Sequence, residues 1–156
     1  MFSSQQVLAS PDDSPYGDCE DVLPIGSANH SGCLAQQERK KYWKLQRDAY
    51  ERLVKALSTK PKTPDALQMN ERVFDAFTNV QSAWEKYYPE ACELSGSLTM
   101  AANPWQSTYA VQCEAVQLQD RLEKLNKALI CFEKIPEDTR AVEGAECLNE
   151  FGLPFQ

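Results

Sequence analysis

The chain holds a single histidine, His30, in 156 residues. It therefore has no second imidazole for a His-rich metal site or a histidine pair. Nor is there an apolar run near the roughly 20 residues needed to cross a bilayer, which excludes an integral membrane protein. Positive charge is scarce too. Sixteen Lys and Arg stand against 23 Asp and Glu, a net charge of -7, so broad binding to nucleic acid or an anionic membrane is not expected. A basic protein partner suits this balance better. Gly-x-Ser-x-Gly, His-Glu-x-x-His and a phosphate-cradling glycine loop are all missing. No pair stands out among the acids for glycosidase-like chemistry. The inventory implies no enzyme, no cofactor and no metal.

Cysteine is present in number, but without the spacing of a metal or redox site. Cys19, Cys33, Cys92, Cys113, Cys131 and Cys147 make six, and the nearest neighbours stand 14 residues apart. Zinc sites use a local pair two to four residues apart, and thioredoxin-like sites use Cys-x-x-Cys. The remaining readings are a disulfide framework, which persists in an oxidising compartment, or six reduced core thiols. The framework is the expectation, with 15 connectivities open to six cysteines. The opening MFSSQQVLAS lacks the basic start and apolar stretch of a secretory signal. With crosslinked cysteines, the expectation is that an export signal has been removed and that the mature start lies close to Phe2.

What is there reads as one domain, with 42% apolar, 25% charged and 10% aromatic residues. Residues 2 to 32 carry Pro11, Pro15, Pro24, Gly17, Gly26 and Gly32, five acids and no Lys or Arg, so they read as an irregular acidic arm. From Cys33 to Ser58 there is no Pro or Gly, and Tyr42, Leu45, Ala49, Leu53 and Leu57 recur at helical steps. Thr63, Pro64 and Asp65 form an N-cap, N1 and first-turn acid for a second helix. Its stripe is Ala66, Val73, Phe77, Val80, Trp84 and Tyr87, and Pro89 marks its end. Residues 92 to 103 read as a polar loop, and Asn103 and Pro104 repeat the cap. The third helix carries Val111, Ala115, Leu118, Leu122, Leu125, Leu129 and Phe132. Pro136 closes it, residues 137 to 150 have the composition of one short helix, and Phe151, Leu153 and Phe155 form an apolar tail. Such stripes must bury against one another. The predicted fold is all-α, a three-helix antiparallel bundle or hairpin with a short C-terminal helix, and a monomer is expected.

The most distinctive constellation is Gln81-x-x-Trp84, then Cys92 eight residues after the Trp, Gly96-Ser97, Tyr109-x3-Cys113, and Arg121 eight residues after Cys113. This resembles the LprI-like lysozyme inhibitor family, bacterial extracytoplasmic proteins whose members carry these residue types at these spacings. The likeness covers roughly residues 19 to 125. Where the family has Arg four residues after the Trp, this chain has Tyr88. The resemblance implies three local disulfides, Cys19 with Cys33, Cys92 with Cys113, and by remainder Cys131 with Cys147. It also implies a division into an arm (1–18), a helical domain (19–134) and a C-terminal extension (135–156), located in the periplasm or secreted.

By this likeness the expected function is inhibition of a lysozyme-type or other envelope-attacking enzyme by occluding its surface. An immunity protein against a cognate secreted toxin is one alternative, and a structural or assembly factor of the envelope is another. The candidate contact surface is the segment from Glu93 to Gln106, with Leu98, Met100 and Trp105; Trp105 packed under the loop is the bland reading. The second candidate is the acidic arm, with Asp12, Asp13, Asp18, Glu20 and Asp21. Trp84 and Arg121 read as architectural, the Trp on the core stripe and the Arg bonded to helix-end carbonyls or a carboxylate. The run from Glu38 to Arg47 interleaves basic and aromatic residues. A helix that turns its charges to water explains it without nucleic acid.

Overall fold

The computed structural model describes residues 18–60 and 69–152. Three long helices, α1 (Ala28–Ser58), α2 (Glu71–Leu98) and α3 (Trp105–Lys134), are followed by a single turn, α4 (Arg140–Glu143), and a 3-10 segment, Gly144–Phe151. No strand occurs among the described residues. The fold is all-α, as the periodicity predicts. Helix α3 packs against both others. Because the chain runs up, down and up, α1 and α3 are parallel neighbours: Ala28 lies beside Thr108 at one end, and Leu53 and Leu57 share a core with Leu125, Leu129 and Phe132 at the other.

All six cysteines are paired, Cys19 with Cys33, Cys92 with Cys113 and Cys131 with Cys147. Three such links belong to an oxidising, extracytoplasmic compartment. No described helix is long and apolar enough to cross a membrane.

Several boundaries differ from the sequence expectation. Helix α1 starts at Ala28 rather than Cys33, because Ser27 accepts a hydrogen bond from the His30 backbone N–H and caps it. Gly32 thus lies inside the helix rather than in the arm. A side chain there would press on Thr108 Oγ1, whose hydroxyl donates to the Ala28 carbonyl at 3.0 Å. The expected start of the second helix at Thr63 to Asp65, and Ala66 of its stripe, lie outside the described residues; α2 begins at Glu71, capped by Asn70. Pro89 does not end α2. The helix runs nine residues past it to Leu98, because Tyr88 and Cys92 are buried on either side of the proline and hold the chain in helical register. Residues 92–98 are therefore helix, not loop. Helix α3 starts one residue later than expected, with Pro104 at the N-cap position and no side-chain cap. The C-terminal helix is broken into the short α4 and the 3-10 segment.

The stripes are corrected as well. Leu45 is exposed and Gln46 is buried; Val80 is exposed and Gln81 is buried; Tyr87 is exposed and Tyr88 is buried. In each case the inward face is one residue further along, which brings two glutamines into the interior. Helix α3 follows its leucine stripe as predicted, with Leu118, Leu125 and Leu129 buried. Burial of a leucine side chain contributes about 1.5–3 kcal/mol, so the half of the bundle holding Leu53, Leu57, Leu125 and Leu129 is the main apolar core.

Candidate functional site

Two places in this frame have the chemistry of a site. The first is a polar layer across the middle of the bundle. Gln46 from α1, Gln81 from α2 and Arg121 from α3 are 1%, 2% and 6% exposed. The helix register sets them at one level, between the Arg39–Glu114 ion pair (3.0 Å) and the apolar core. Arg121 Nε donates to Gln81 Oε1 at 2.9 Å, and Gln81 Nε2 donates to Glu85 Oε1 at 2.9 Å. Arg47 reaches the same Glu85 oxygen from α1 at 3.5 Å. The guanidinium of Arg121 lies between two rings, 5.0 Å from Trp84 and 4.5 Å from Phe151. Its Nη2 and the Gln46 amide nitrogen are buried without a partner.

Burial draws the Arg121 pKa down to about 10, against the pull of Glu85. Tyr88 stacks on Trp84 at 4.5 Å. Its phenol is pushed up to about 12, chiefly by burial, with Glu114 adding and Arg39 opposing.

The structure thus brings Gln81, Trp84 and Arg121, 40 residues apart along the chain, into one cluster. Arg121 bonds to a side-chain amide and two rings, not to the helix-end carbonyls or carboxylate expected of it. Tyr88 occupies a stacked position of its own. Gln46 and Phe151 complete the cluster and were missed by sequence reasoning. A glutamine at an inward helical step is read as solvent-facing, and Phe151 lies outside any periodic stripe.

The second place is the end of the bundle where α1 and α3 begin and α2 stops. Cys92–Cys113 joins α2 to α3 there, and Gly96 lets the two backbones meet: a Cβ at that position would overlap the Gln106 carbonyl oxygen and crowd Ala110. Beyond this tie the chain turns through Met100 at φ 54°, in the left-handed region. Leu98 and Met100 stand in solvent, 69% and 85% exposed. Trp105 is half-buried and stacks on Tyr109 at 5.8 Å.

Asp18 caps a 3-10 turn, Cys19–Asp21, by accepting from the Glu20 N–H, and Glu20 and Asp21 are exposed. Cys19–Cys33 fastens this turn to the first turns of α1, at the same end of the bundle as Leu98 and Met100. The two candidate surfaces therefore share one end, where Leu23 and Ile25 are exposed as well. Those two were missed because apolar residues within a Pro- and Gly-rich acidic segment have no period to reveal them. Asp12 and Asp13 lie outside the described residues.

Among the described residues no three His, Cys, Asp or Glu side chains are grouped to hold a metal ion. No protein-family model, curated protein or solved structure matches this chain.

Proposed function

We propose that this chain is an extracytoplasmic bacterial binding protein, in the periplasm or secreted, that inhibits a lysozyme-type or other envelope-attacking enzyme by covering part of its surface. The observation that carries the reading is the crosslinked end of the bundle. Leu23, Ile25, Leu98 and Met100 are exposed at the end that also carries the acidic turn Cys19–Asp21, and Cys19–Cys33 and Cys92–Cys113 tie that end. A surface held this way loses little entropy on docking. Its carboxylates, on a chain of net charge -7, speed encounter with a basic target.

The test is titration of the oxidised protein against lysozymes of several classes, at low and high salt, reading both wall-clearing activity and binding. Inhibition is expected, with an association rate that falls as salt rises. Leu98→Asp with Met100→Asp should weaken binding at least tenfold, whereas Asp18→Asn with Asp21→Asn should slow association and leave dissociation unchanged. Absence of binding and inhibition at every salt refutes a lysozyme target and leaves the cognate-toxin reading, tested on the product of any adjoining toxin gene. Binding that survives both double variants refutes this surface. A stable dimer by sedimentation, burying the leucine stripe of α3, would favour the envelope-assembly reading instead.

A further inference from the structure

With its inward face set by Phe77, Gln81, Tyr88 and Cys92, α2 leaves a second line of apolar side chains in water. Ala76, Val80, Ala83, Tyr87, Leu94 and Leu98 are all exposed, and Ala91, which completes their spacing, is half-buried. Steps of four, three, four, four, three and four residues place all seven on one side of the helix. The pattern repeats after eleven residues, from Ala76 to Tyr87 and from Tyr87 to Leu98, a period close to that of the helix itself. The line therefore runs nearly straight, for about 33 Å. Tyr87 is 69% exposed and Leu94 60%. The outward sides of α1 and α3 have nothing comparable: Glu38 and Lys41 separate Leu34 from Leu45, and Asp120, Glu123 and Lys127 separate Val116 from Ile130.

The stripe fits itself in reverse. Its two ends lie equally far from Tyr87, so a second α2 laid antiparallel across it sets Tyr87 against the partner's Tyr87 on a two-fold axis. Ala83 then faces the partner's Ala91, Val80 the partner's Leu94, and Ala76 the partner's Leu98. Alanines on either side of the central rings leave room for them, and each leucine meets a smaller side chain. Charge agrees with this register. Lys86 and Glu90 are exposed on one flank of the stripe, and a two-fold axis at Tyr87 keeps that flank on the same side in both copies. Lys86 comes beside the partner's Glu90, and Glu90 beside the partner's Lys86.

We propose that this side of α2 is where two copies of the chain meet, antiparallel and two-fold symmetric about Tyr87. The inference does not rest on the inhibitor reading, with whose surface it shares only Leu98. It departs from the monomer expected from the sequence, because Val80 and Tyr87, expected in the core, stand outside it.

The experiment is sedimentation equilibrium of the full oxidised chain from about 1 μM to about 1 mM. A monomer–dimer equilibrium is expected, with a dissociation constant on the order of 10–100 μM for one helix laid on another. Tyr87→Glu, at an exposed position, should weaken it about tenfold or more and leave the thermal melt of the dilute protein unchanged. Lys86→Glu and Glu90→Lys should each weaken it about threefold or more. Mixing those two variants should restore association, because one chain then carries two acids on the flank and the other two lysines. Effects within a single helix cannot produce that recovery.

A chain that stays monomeric at about 1 mM overturns the proposal. So does a dimer that Tyr87→Glu leaves intact, since it meets through another surface, and so does a mixture of the charge variants that fails to recover. A monomer that binds phosphatidylcholine vesicles, and loses them with Tyr87→Glu, would give the stripe to lipid and refute the dimer.

Discussion

Replacing Gln81 with leucine tests whether the polar layer is closed to water. Gln81 is 2% exposed, accepts from Arg121 Nε and donates to Glu85, both at 2.9 Å. Leucine is close in volume, so the variant removes hydrogen bonds without opening a large cavity. Arg121 then has neither Nε nor Nη2 satisfied. A hydrogen bond to a charged group contributes about 1.5–3 kcal/mol. Glu85, whose side chain is 38% exposed, rehydrates and adds little. The added apolar surface returns about 1 kcal/mol. The net loss is about 0.5–2 kcal/mol, or about 1–8 °C in melting temperature for a domain of this size. Arg121→Met alone should cost about 1–2 kcal/mol by stranding the Gln81 carbonyl. The double variant should lose much less than the sum, because both members of the pair leave together. Urea denaturation of the four proteins at pH 7, with disulfides intact, reads all three numbers. If Gln81→Leu lies within about 0.5 kcal/mol of the parent, or the two losses simply add, water reaches the layer and the reasoning fails.

Gly96→Ala should destabilise by about 1–3 kcal/mol, since the new methyl overlaps the Gln106 carbonyl oxygen. Gly152→Ala, whose Cβ meets nothing nearer than 3.7 Å, serves as the silent control in the same thermal melts. Removing Cys131–Cys147 by a double alanine substitution opens a link spanning 16 residues and should cost about 3 kcal/mol by urea titration. Tyr88 gives a pH signature. Its folded pKa of about 12 lies above its ordinary 10.0, so its stabilisation is complete below pH 10 and disappears as pH rises through 12. Burial of Arg121, which lowers its pKa to about 10, acts in the opposite sense above pH 10. The comparison with Tyr88→Phe cancels that term. The parent should lose up to about 2–3 kcal/mol relative to the variant between pH 9 and pH 12; parallel stability curves would contradict a buried phenol.

The sequence revealed the helices better than it revealed their faces. The leucine steps of α3 were readable because the inward positions from Leu118 to Phe132 are apolar or small apart from Arg121. In α1 and α2 the pattern misled, since Gln46 and Gln81 occupy inward positions and Leu45 and Val80 lie beside them in water. A hydrophobicity rule necessarily selects the wrong neighbour there. Pro89 misled for a similar reason: local propensity ends the helix, and burial of Tyr88 and Cys92 overrides it. The spacing of Gln81, Trp84 and Arg121 was visible as a pattern. That they meet in space was not, because it depends on how α2 and α3 are aligned by Cys92–Cys113. The short N-terminal turn was legible only as irregular chain, and its place at the same end as Leu98 and Met100 follows from the parallel course of α1 and α3.

The placement of the disulfides divides the molecule covalently into two pieces. One link closes the N-terminal turn onto α1, and the other two weld α2, α3 and the C-terminal segment into a single unit. Nothing but side-chain contact and the intervening stretch of chain joins the pieces. Partial opening therefore has a natural seam, with α1 lifting away whole while the welded unit stays closed. Amides of α1 should exchange with solvent ahead of those in α3, and two copies in concentrated solution have in α1 a ready-made arm to trade.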